Sequence, residues 1–141
     1  TLGVAPWPPH SIQRPRSPDL LSYKRTDRKM TIGYGRNIEE VGITAGEAEI
    51  LLNTDIKACH RQLMQKHYWQ FLDTARKAVL IDMVYNLGWN RFKGFRKMSA
   101  ALVEGRYTLA AAEILDSKYA NQLPSRALRN AQIMKAGVID D

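Results

Sequence analysis

Two polar side chains interrupt the most apolar stretch of this sequence. Between residues 78 and 87 nearly every residue is hydrophobic, and the exceptions are Asp82 and Asn86. In a helix their i, i+4 spacing places both on one face. Two interpretations follow: the pair are buried polar groups with satisfied hydrogen bonds, or they mark a helix end that faces a cleft.

The other residues that could bind a ligand or take part in a reaction are isolated in the sequence. The segment Gly33-x-Gly35 lacks the further glycine of a phosphate-binding loop, and no helix follows it directly, so we exclude nucleotide binding there. Cys59 is the single cysteine, which excludes an internal disulfide, and its helical context favours a small buried hydrophobe. His10 has no neighbour that suggests a metal site or a base. No metal-binding cluster or cofactor motif is visible, and we expect neither group.

The elements around Asp82 and Asn86 are predicted to be helices. Residues 74–88 form a core helix that other helices surround, with Asp73 or Thr74 as its N-cap and a left-handed glycine, Gly88, at its end. Before it, Thr44 and Glu47 have the spacing of a capping box, and apolar residues recur every three or four positions. This pattern predicts a long amphipathic helix over residues 45–64 that bridges two parts of the molecule.

Shorter helices are predicted after Gly88. One carries Phe92 to Leu102 and stops at Gly105, and a second opens at Thr108 and reaches Leu115. A last helix follows Pro124, with Ser125 as its cap and Gly137 at its end. Short helices with brief connections describe a compact helical bundle.

The N-terminal part has a different composition. Residues 1–18 contain five of the six prolines, which predicts an extended or disordered arm in which Trp7 is loosely packed or serves as a docking anchor. Residues 30–35, MTIGYG, predict a short strand that runs into a turn.

The charge of the chain indicates an anionic partner. The formal net charge is +7, and residues 1–30 contain six basic residues and two acidic ones. Nucleic acid, an acidic membrane and an anionic cell-wall polymer all fit this balance. No apolar run of 18 residues and no export signal is present, so we expect a soluble chain without a transmembrane segment.

Four motifs resemble the phage-type lysozymes, the muramidases of the T4 lysozyme kind. They are TIGYGRN at 31–37, VGIT-x-x-EAE at 41–49, YNLG at 85–88 and NQLPSRALRNAQIMKAG at 121–137, in family order and at family spacing. The resemblance covers about residues 31–138.

The resemblance implies an α+β, predominantly α, lysozyme-like fold. A small β-containing lobe (residues 19–44) is joined by a connecting helix (45–65) to a helical lobe (66–141), and residues 1–18 lie outside this domain. The implied activity is cleavage of the β-1,4 bond between N-acetylmuramic acid and N-acetylglucosamine in bacterial peptidoglycan. The implied setting is a monomeric phage endolysin, held in the host cytoplasm and acting on the wall from the periplasm.

The catalytic segment of the family is altered in this chain. In the family, eight residues separate a Glu from an Asp and five residues separate that Asp from a Thr, and these three positions fall here on Arg16, Arg25 and Thr31. A guanidinium stays protonated, so neither arginine can act as an acid or a base near neutral pH. Ser17 and Arg28 also stand where the family usually has glycine.

Three hypotheses account for the arginines. In the first, displaced carboxylates carry out the hydrolysis. Asp19 and Asp27 are the only acidic residues before Thr31, so the candidate catalytic residues are Asp19, Asp27 and Thr31. Alternatively, the fold persists as an inactive peptidoglycan-binding protein. In the third hypothesis, residues 1–30 differ from those of a working parent protein.

The resemblance also implies substrate-binding residues. These are Asn37 after the strand, Tyr85 and Asn86 at the end of the core helix, and Arg126 near the start of the last helix. The alternatives are a core aromatic for Tyr85 and a solvated basic face for Arg126. Other substrate-contact positions of the family hold Met98 and Glu113 here.

A basic helical domain that binds nucleic acid is the hypothesis from a different class. The positive charge of residues 1–30 motivates it. The basic residues form no recognition-helix pattern and no aromatic ladder is interleaved with them, so we expect no specific nucleic-acid partner.

Overall fold

The structure is a computed structural model that describes residues 17–139. These residues divide between two compact units, an N-terminal unit and a helical unit, with the boundary between Glu49 and Ile50. The arm predicted for residues 1–18, with Trp7, His10 and Arg16, therefore lies almost entirely outside the described residues. The architecture is α+β with helices predominating, as the sequence predicts.

The N-terminal unit is built on a three-stranded antiparallel sheet. Its strands are β1 (Asp19–Lys24), β2 (Met30–Gly33) and β3 (Arg36–Asn37), in the order β1-β2-β3. The strand predicted at 30–35 is confirmed as β2, which gives way at Gly33 and Gly35 to a turn that needs positive φ. Sequence analysis missed β1 and β3, because their pairing with β2 is a tertiary contact and neither shows regular alternation.

Helix α1 (Ala45–Leu63) begins in the N-terminal unit and continues into the helical unit. Its predicted capping box is confirmed, since the Glu47 N–H donates to Thr44 Oγ1 (3.1 Å) and the Thr44 N–H donates to Glu47 Oε1 (2.9 Å). Only Cys59 and Leu63 of this helix are buried.

Six further helices lie in the described part of the helical unit. After a single 3-10 turn at Trp69–Phe71 come the remaining helices: α2 (Thr74–Leu87), α3 (Trp89–Phe92), α4 (Arg96–Val103), α5 (Tyr107–Leu115), α6 (Lys118–Gln122) and α7 (Pro124–Ala136). Helix α7 packs on α2, α5 and α6, and α5 also packs on α4. None of the helices described in residues 17–139 is long and apolar enough to cross a membrane.

Helix α2 supplies the centre of the core. Asp73 caps it, accepting a hydrogen bond from the Arg76 N–H (2.9 Å), as predicted. Leu80 and Met83 are completely buried, but Tyr85 on the opposite side is 46% exposed. The prediction that neighbours surround this helix on all sides is therefore wrong, because its burial is one-sided.

Several predicted helix ends need correction. The helix expected from Phe92 to Leu102 is two helices, because i→i−3 hydrogen bonds at Gly94 and Phe95 interrupt it. Helix α5 begins at Tyr107, one residue before Thr108, and Ser125 does not cap α7, because Pro124 already occupies its first turn.

Two glycines that were predicted to end helices behave differently. Gly137 has the predicted left-handed conformation after α7 (φ 74°, ψ 18°). Gly88 has positive φ (84°), but its ψ of 156° is extended, so it redirects the chain into α3 instead of forming a left-handed cap.

Candidate functional site

Asp82 is the centre of a polar network between α2 and α7. Its Oδ1 accepts a hydrogen bond from Arg126 Nη1 (2.8 Å), and its Oδ2 accepts one from Asn130 Nδ2 (2.9 Å). Asn130 Nδ2 also donates to the Tyr119 hydroxyl (2.8 Å). Both carboxylate oxygens are thus satisfied, which supports the first interpretation of Asp82, a paired polar group at the edge of the core.

Asn130 is a site residue that sequence analysis missed. It is a polar residue that is only 5% exposed, and it holds Asp82 and Tyr119 together. Its i, i+4 relation to Arg126 was the available signal, because this spacing places both side chains on one face of α7.

Asn86 and Tyr85 lie one turn further along α2. The Asn86 amide donates back to the Asp82 carbonyl (2.7 Å), so one of its hydrogen-bonding groups is used within its own helix. Tyr85 is 46% exposed, which makes the core-aromatic interpretation wrong for this residue.

A groove of about 670 Å³ adjoins the Asp82 network within the helical unit. Its polar wall includes Asp82, Arg126 and Arg129, and its apolar floor includes Val79 and Ile133. Arg129 is exposed and makes no ion pair within residues 17–139. The groove therefore combines apolar surface with a free cation, which suits a ligand that carries carboxylates.

In the N-terminal unit, Thr31 is buried at the centre of the sheet. It lies opposite Tyr23 of β1 and Asn37 of β3, and its side chain has no solvent exposure. Its hydroxyl donates to the Lys29 carbonyl (3.0 Å). Thr31 is thus hydrogen-bonded inside the sheet.

Arg25 and Asp27 lie in the turn between β1 and β2. Arg25 Nη2 contacts Asp27 Oδ2 (2.7 Å), and Arg25 Nε donates to Oδ1 (3.2 Å). The Arg25 hydrogen bond, followed by that from the Lys29 N–H, holds the pKa of Asp27 below its ordinary value of 3.8. A carboxylate kept ionised in this way can stabilise a cation, but it is not a proton donor near neutral pH.

Asp19 lies at the other end of the hairpin. Asp19 at the start of β1 pairs with Gly33, and Lys24 at the end of β1 pairs with Met30. The turn that contains Asp27 connects Lys24 to Met30. Five residue steps of about 3.3 Å separate Asp19 from Lys24, roughly 16 Å along the strand. The two carboxyl groups of a glycosidase lie about 5–9.5 Å apart. The hairpin therefore does not bring Asp19 and Asp27 together.

Asn37 also has local partners. Its Oδ1 accepts a hydrogen bond from the Glu40 N–H (3.2 Å), and its Nδ2 donates to Glu40 Oε2 (3.3 Å). Glu40 in turn contacts Lys29 Nζ (2.6 Å). Glu39 and Glu40 are further carboxylates of this unit, downstream of Thr31, and both contact Lys29 Nζ.

Within residues 17–139, no group of three or more histidine, cysteine or acidic side chains could hold a metal ion. Cys59 is buried, as expected, and burial raises the pKa of its thiol, so the reactive thiolate is disfavoured.

Comparison with known proteins agrees with this architecture. Two proteins of Dictyostelium discoideum, named Probable T4-type lysozyme 1 and Probable T4-type lysozyme 2, are 26% and 25% identical to this chain. Each comparison covers 86% of this chain and 89% of the relative. The sequence also matches the family described as Phage lysozyme over residues 18–132, from the first strand into the last helix. The chain belongs to the phage lysozyme family, whose members are lysozyme-type peptidoglycan hydrolases.

Proposed function

We propose that this chain hydrolyses the β-1,4 bond between N-acetylmuramic acid and N-acetylglucosamine in bacterial peptidoglycan. The observation that carries the proposal is the family match over residues 18–132, which includes both the hairpin and the helices around the Asp82 network. Relatives that cover nearly the same length of chain are named as lysozymes, which supports the same activity.

The helical unit supplies the proposed glycan contacts. Arg126 and Arg129 on the groove wall attract the carboxylates of the peptide stems, because a guanidinium binds a carboxylate through two parallel hydrogen bonds. The half-exposed Tyr85 offers a ring face to a sugar, and Asn86 offers an amide to an N-acetyl group. Asn37 is the proposed contact from the N-terminal unit.

In the proposed reaction, Asp27 is the ionised carboxylate. Its low pKa suits the stabilisation of the positive charge that develops on the sugar ring. Thr31 is proposed to maintain the hairpin geometry through its bond to Lys29. Asp19 is the proposed proton donor, and this role requires the hairpin to rearrange so that Asp19 approaches Asp27.

A second candidate function is peptidoglycan binding without hydrolysis. Two observations favour it: the Arg25 guanidinium is paired with the Asp27 carboxylate, and Asp19 lies roughly 16 Å from the turn. The resemblance, which assigns the family's Asp to the position of Arg25, favours it as well. Under this hypothesis the groove of the helical unit still holds the polymer.

The test is release of reducing ends from purified Gram-negative peptidoglycan, with sedimentation onto the insoluble polymer measured in the same samples. We expect release by the parent chain, a loss of at least about 100-fold in Asp27→Asn and Asp19→Asn, and a smaller loss in Thr31→Ala. The matched control is Asp55→Asn, an exposed aspartate on α1 for which we expect no change. Sedimentation without release would contradict hydrolysis and establish the binding function.

The biological role we propose is that of a phage endolysin that acts as a monomer and lyses bacteria. It would be held in the host cytoplasm and would reach peptidoglycan from the periplasm. The test adds the protein to chloroform-permeabilised Gram-negative cells and follows the turbidity of the suspension, which falls if the cells lyse. A turbidity that does not fall at protein concentrations that degrade purified peptidoglycan would contradict this role.

A further inference from the structure

Positive charge is concentrated in one part of the helical unit. Residues 57–97 contain nine lysines and arginines and two aspartates. This stretch therefore carries an excess of seven positive charges, as large as the net charge of the whole chain. The remaining residues sum to zero, because an excess of four positive charges in residues 1–30 is offset by an excess of four negative charges in residues 31–56. Within the helical unit, long-range attraction to an anionic partner therefore centres on residues 57–97.

The densest group of cations is at the junction of α3 and α4. We call this group the basic patch and define it as Lys66 with Trp89, Arg91, Lys93, Arg96 and Lys97. Its four members from Arg91 to Lys97 are exposed. None of its cations makes an ion pair within residues 17–139. By contrast, five arginines outside the patch do make one, and they are Arg25, Arg36, Arg76, Arg106 and Arg126.

Some acidic residues lie nearby. Arg91, Arg96 and Lys97 line a depression of about 550 Å³ together with Lys118, and the same depression is lined by Glu113 and Asp116. The cations outnumber the two carboxylates, and neither carboxylate is within ion-pair distance of them. The depression keeps a positive balance.

An aromatic ring lies among these cations. Lys66 Nζ is 5.5 Å and Lys93 Nζ 5.9 Å from the centroid of the Trp89 ring. The other ring contact of Trp89 is a stack on Phe92 (5.7 Å, interplanar angle 13°), and Phe92 is buried. Trp89 is thus a partly exposed indole with an apolar support and two ammonium groups beside it.

We propose that the basic patch is a docking surface for anionic lipid headgroups. Tryptophan and lysine together are the composition found where proteins meet a membrane surface, because indole prefers the interface and lysine attracts anionic phosphate. The proposed contact is peripheral, because it is made by exposed side chains at the surface of the helical unit.

Nucleic acid fits the same surface less well. Helices α3 and α4 have four and eight residues, which is short for a recognition helix in a groove. Single-stranded binding would need a series of free rings, but Phe92 is buried and Trp89 is already stacked on it.

The experiment is co-sedimentation of the full chain with vesicles of phosphatidylcholine containing 30% phosphatidylglycerol, and with vesicles of phosphatidylcholine alone. The patch variant is Lys93→Gln/Lys97→Gln. Its matched control is Lys24→Gln/Lys57→Gln, which removes two exposed lysines outside the patch that also lack ion pairs within residues 17–139. Circular dichroism establishes that both variants are folded.

We expect the parent chain to bind the anionic vesicles and the patch variant to bind them about 30-fold more weakly. This factor corresponds to a loss of about 1 kcal/mol of binding free energy for each of the two lysines. The control should lose less than about threefold. Equal losses in the two variants would contradict the proposal and reduce the effect to net charge. Patch-dependent binding to a 30-base single-stranded DNA without vesicle binding would also overturn it.

Discussion

The two units of this protein are stabilised in different ways. In the helical unit, a core of buried apolar side chains extends from Cys59 to Met134. In the described part of the N-terminal unit the buried side chain is Thr31, and the remaining structure depends on sheet hydrogen bonds and exposed ion pairs. Packing therefore restricts which residues the helical unit can accept, whereas it restricts the residues of the N-terminal unit only weakly.

This difference means that hairpin residues can be replaced with little effect on the stability of the fold. A hairpin residue such as Arg25 is partly exposed, so its replacement has little effect on folding even where it changes the chemistry. Replacement of a completely buried residue such as Leu80 is expected to destabilise the fold. A pair of leucines, one in each unit, tests this contrast directly, and variants at Asp82, Asp73 and Tyr68 measure how polar groups add to the packing of the helical unit.

The largest contrast is expected between two leucines. Leu80→Ala removes a completely buried side chain and should lower the free energy of unfolding by about 3–5 kcal/mol, because it leaves a cavity. Leu21→Ala, at a β1 residue that is 83% exposed, should change it by less than about 0.5 kcal/mol. Urea denaturation followed by circular dichroism measures both. Similar losses would contradict the assignment of stability to the helical unit.

The Asp82 network should contribute a smaller amount. Asp82→Ala leaves the buried Asn130 amide without one acceptor and should cost about 1–3 kcal/mol, towards the lower end because water can solvate the half-exposed Arg126. Asp82→Asn is the matched control and should cost less, since it keeps one acceptor oxygen. An Asp82→Ala variant as stable as the parent would mean that the network adds nothing to stability.

The cap of α2 should depend on pH. Partial burial acts to raise the pKa of Asp73, but hydrogen bonds from the N–H and guanidinium of Arg76 outweigh it and hold this pKa below 3.8. The stabilisation is therefore present above about pH 4 and is lost as the pH falls through the folded-state pKa. Asp73→Ala should cost about 1 kcal/mol at pH 7 and progressively less below pH 4. Asp73→Asn keeps an acceptor without the charge.

Urea denaturation of both Asp73 variants between pH 7 and pH 2.5 checks this prediction. The stability difference between Asp73→Asn and Asp73→Ala should stay nearly constant with pH, because neither side chain titrates. A parent–Asp73→Ala difference that is unchanged at pH 2.5 would show that the charge of Asp73 has no part in capping.

The smallest effect is expected at Tyr68. Its hydroxyl is buried without a hydrogen-bond partner in the described structure, and burial raises its pKa to about 12. Tyr68→Phe should leave the unfolding free energy at pH 7 unchanged or raise it by up to about 1 kcal/mol. Tyr119→Phe is the matched comparison and should cost about 1 kcal/mol, because its hydroxyl accepts from Asn130.

The Tyr68 prediction extends to alkaline pH. Because the folded-state pKa of Tyr68 is raised above 10, its phenol loses its proton first in the unfolded chain, and stability falls as the pH rises from 10 towards 12. Tyr68→Phe should reduce that fall in urea titrations at pH 11. A variant less stable than the parent at both pH values would indicate that the hydroxyl has a partner.

The sequence predicted the helical unit better than the hairpin, for physical reasons. The period of apolar residues and the capping residues Thr44, Asp73 and Gly137 act locally, so α1, α2 and α7 were predicted within one or two residues. Periodicity does not report packing and pairing with distant residues. The features that depend on them are the break at Gly94, helix α6, which Ser117 caps, and strand β1.

The candidate site shows the same division. The spacing of Asp82 and Asn86 revealed a polar face, but it could not identify Arg126 and Asn130 as the partners of Asp82, because 44 and 48 residues separate them along the chain. Similarly, Asp19 and Asp27 are close in sequence, yet the register of the hairpin puts them at opposite ends.

The most direct test measures binding and hydrolysis together for one variant in each unit. Purified peptidoglycan is mixed with the parent chain, Asn86→Ala and Asp27→Asn, and both sedimentation and reducing ends are measured. We predict that Asp27→Asn sediments like the parent but releases almost no reducing ends, and that Asn86→Ala binds about 3- to 10-fold more weakly. Full release of reducing ends by Asp27→Asn, or no release by the parent chain, would contradict the account.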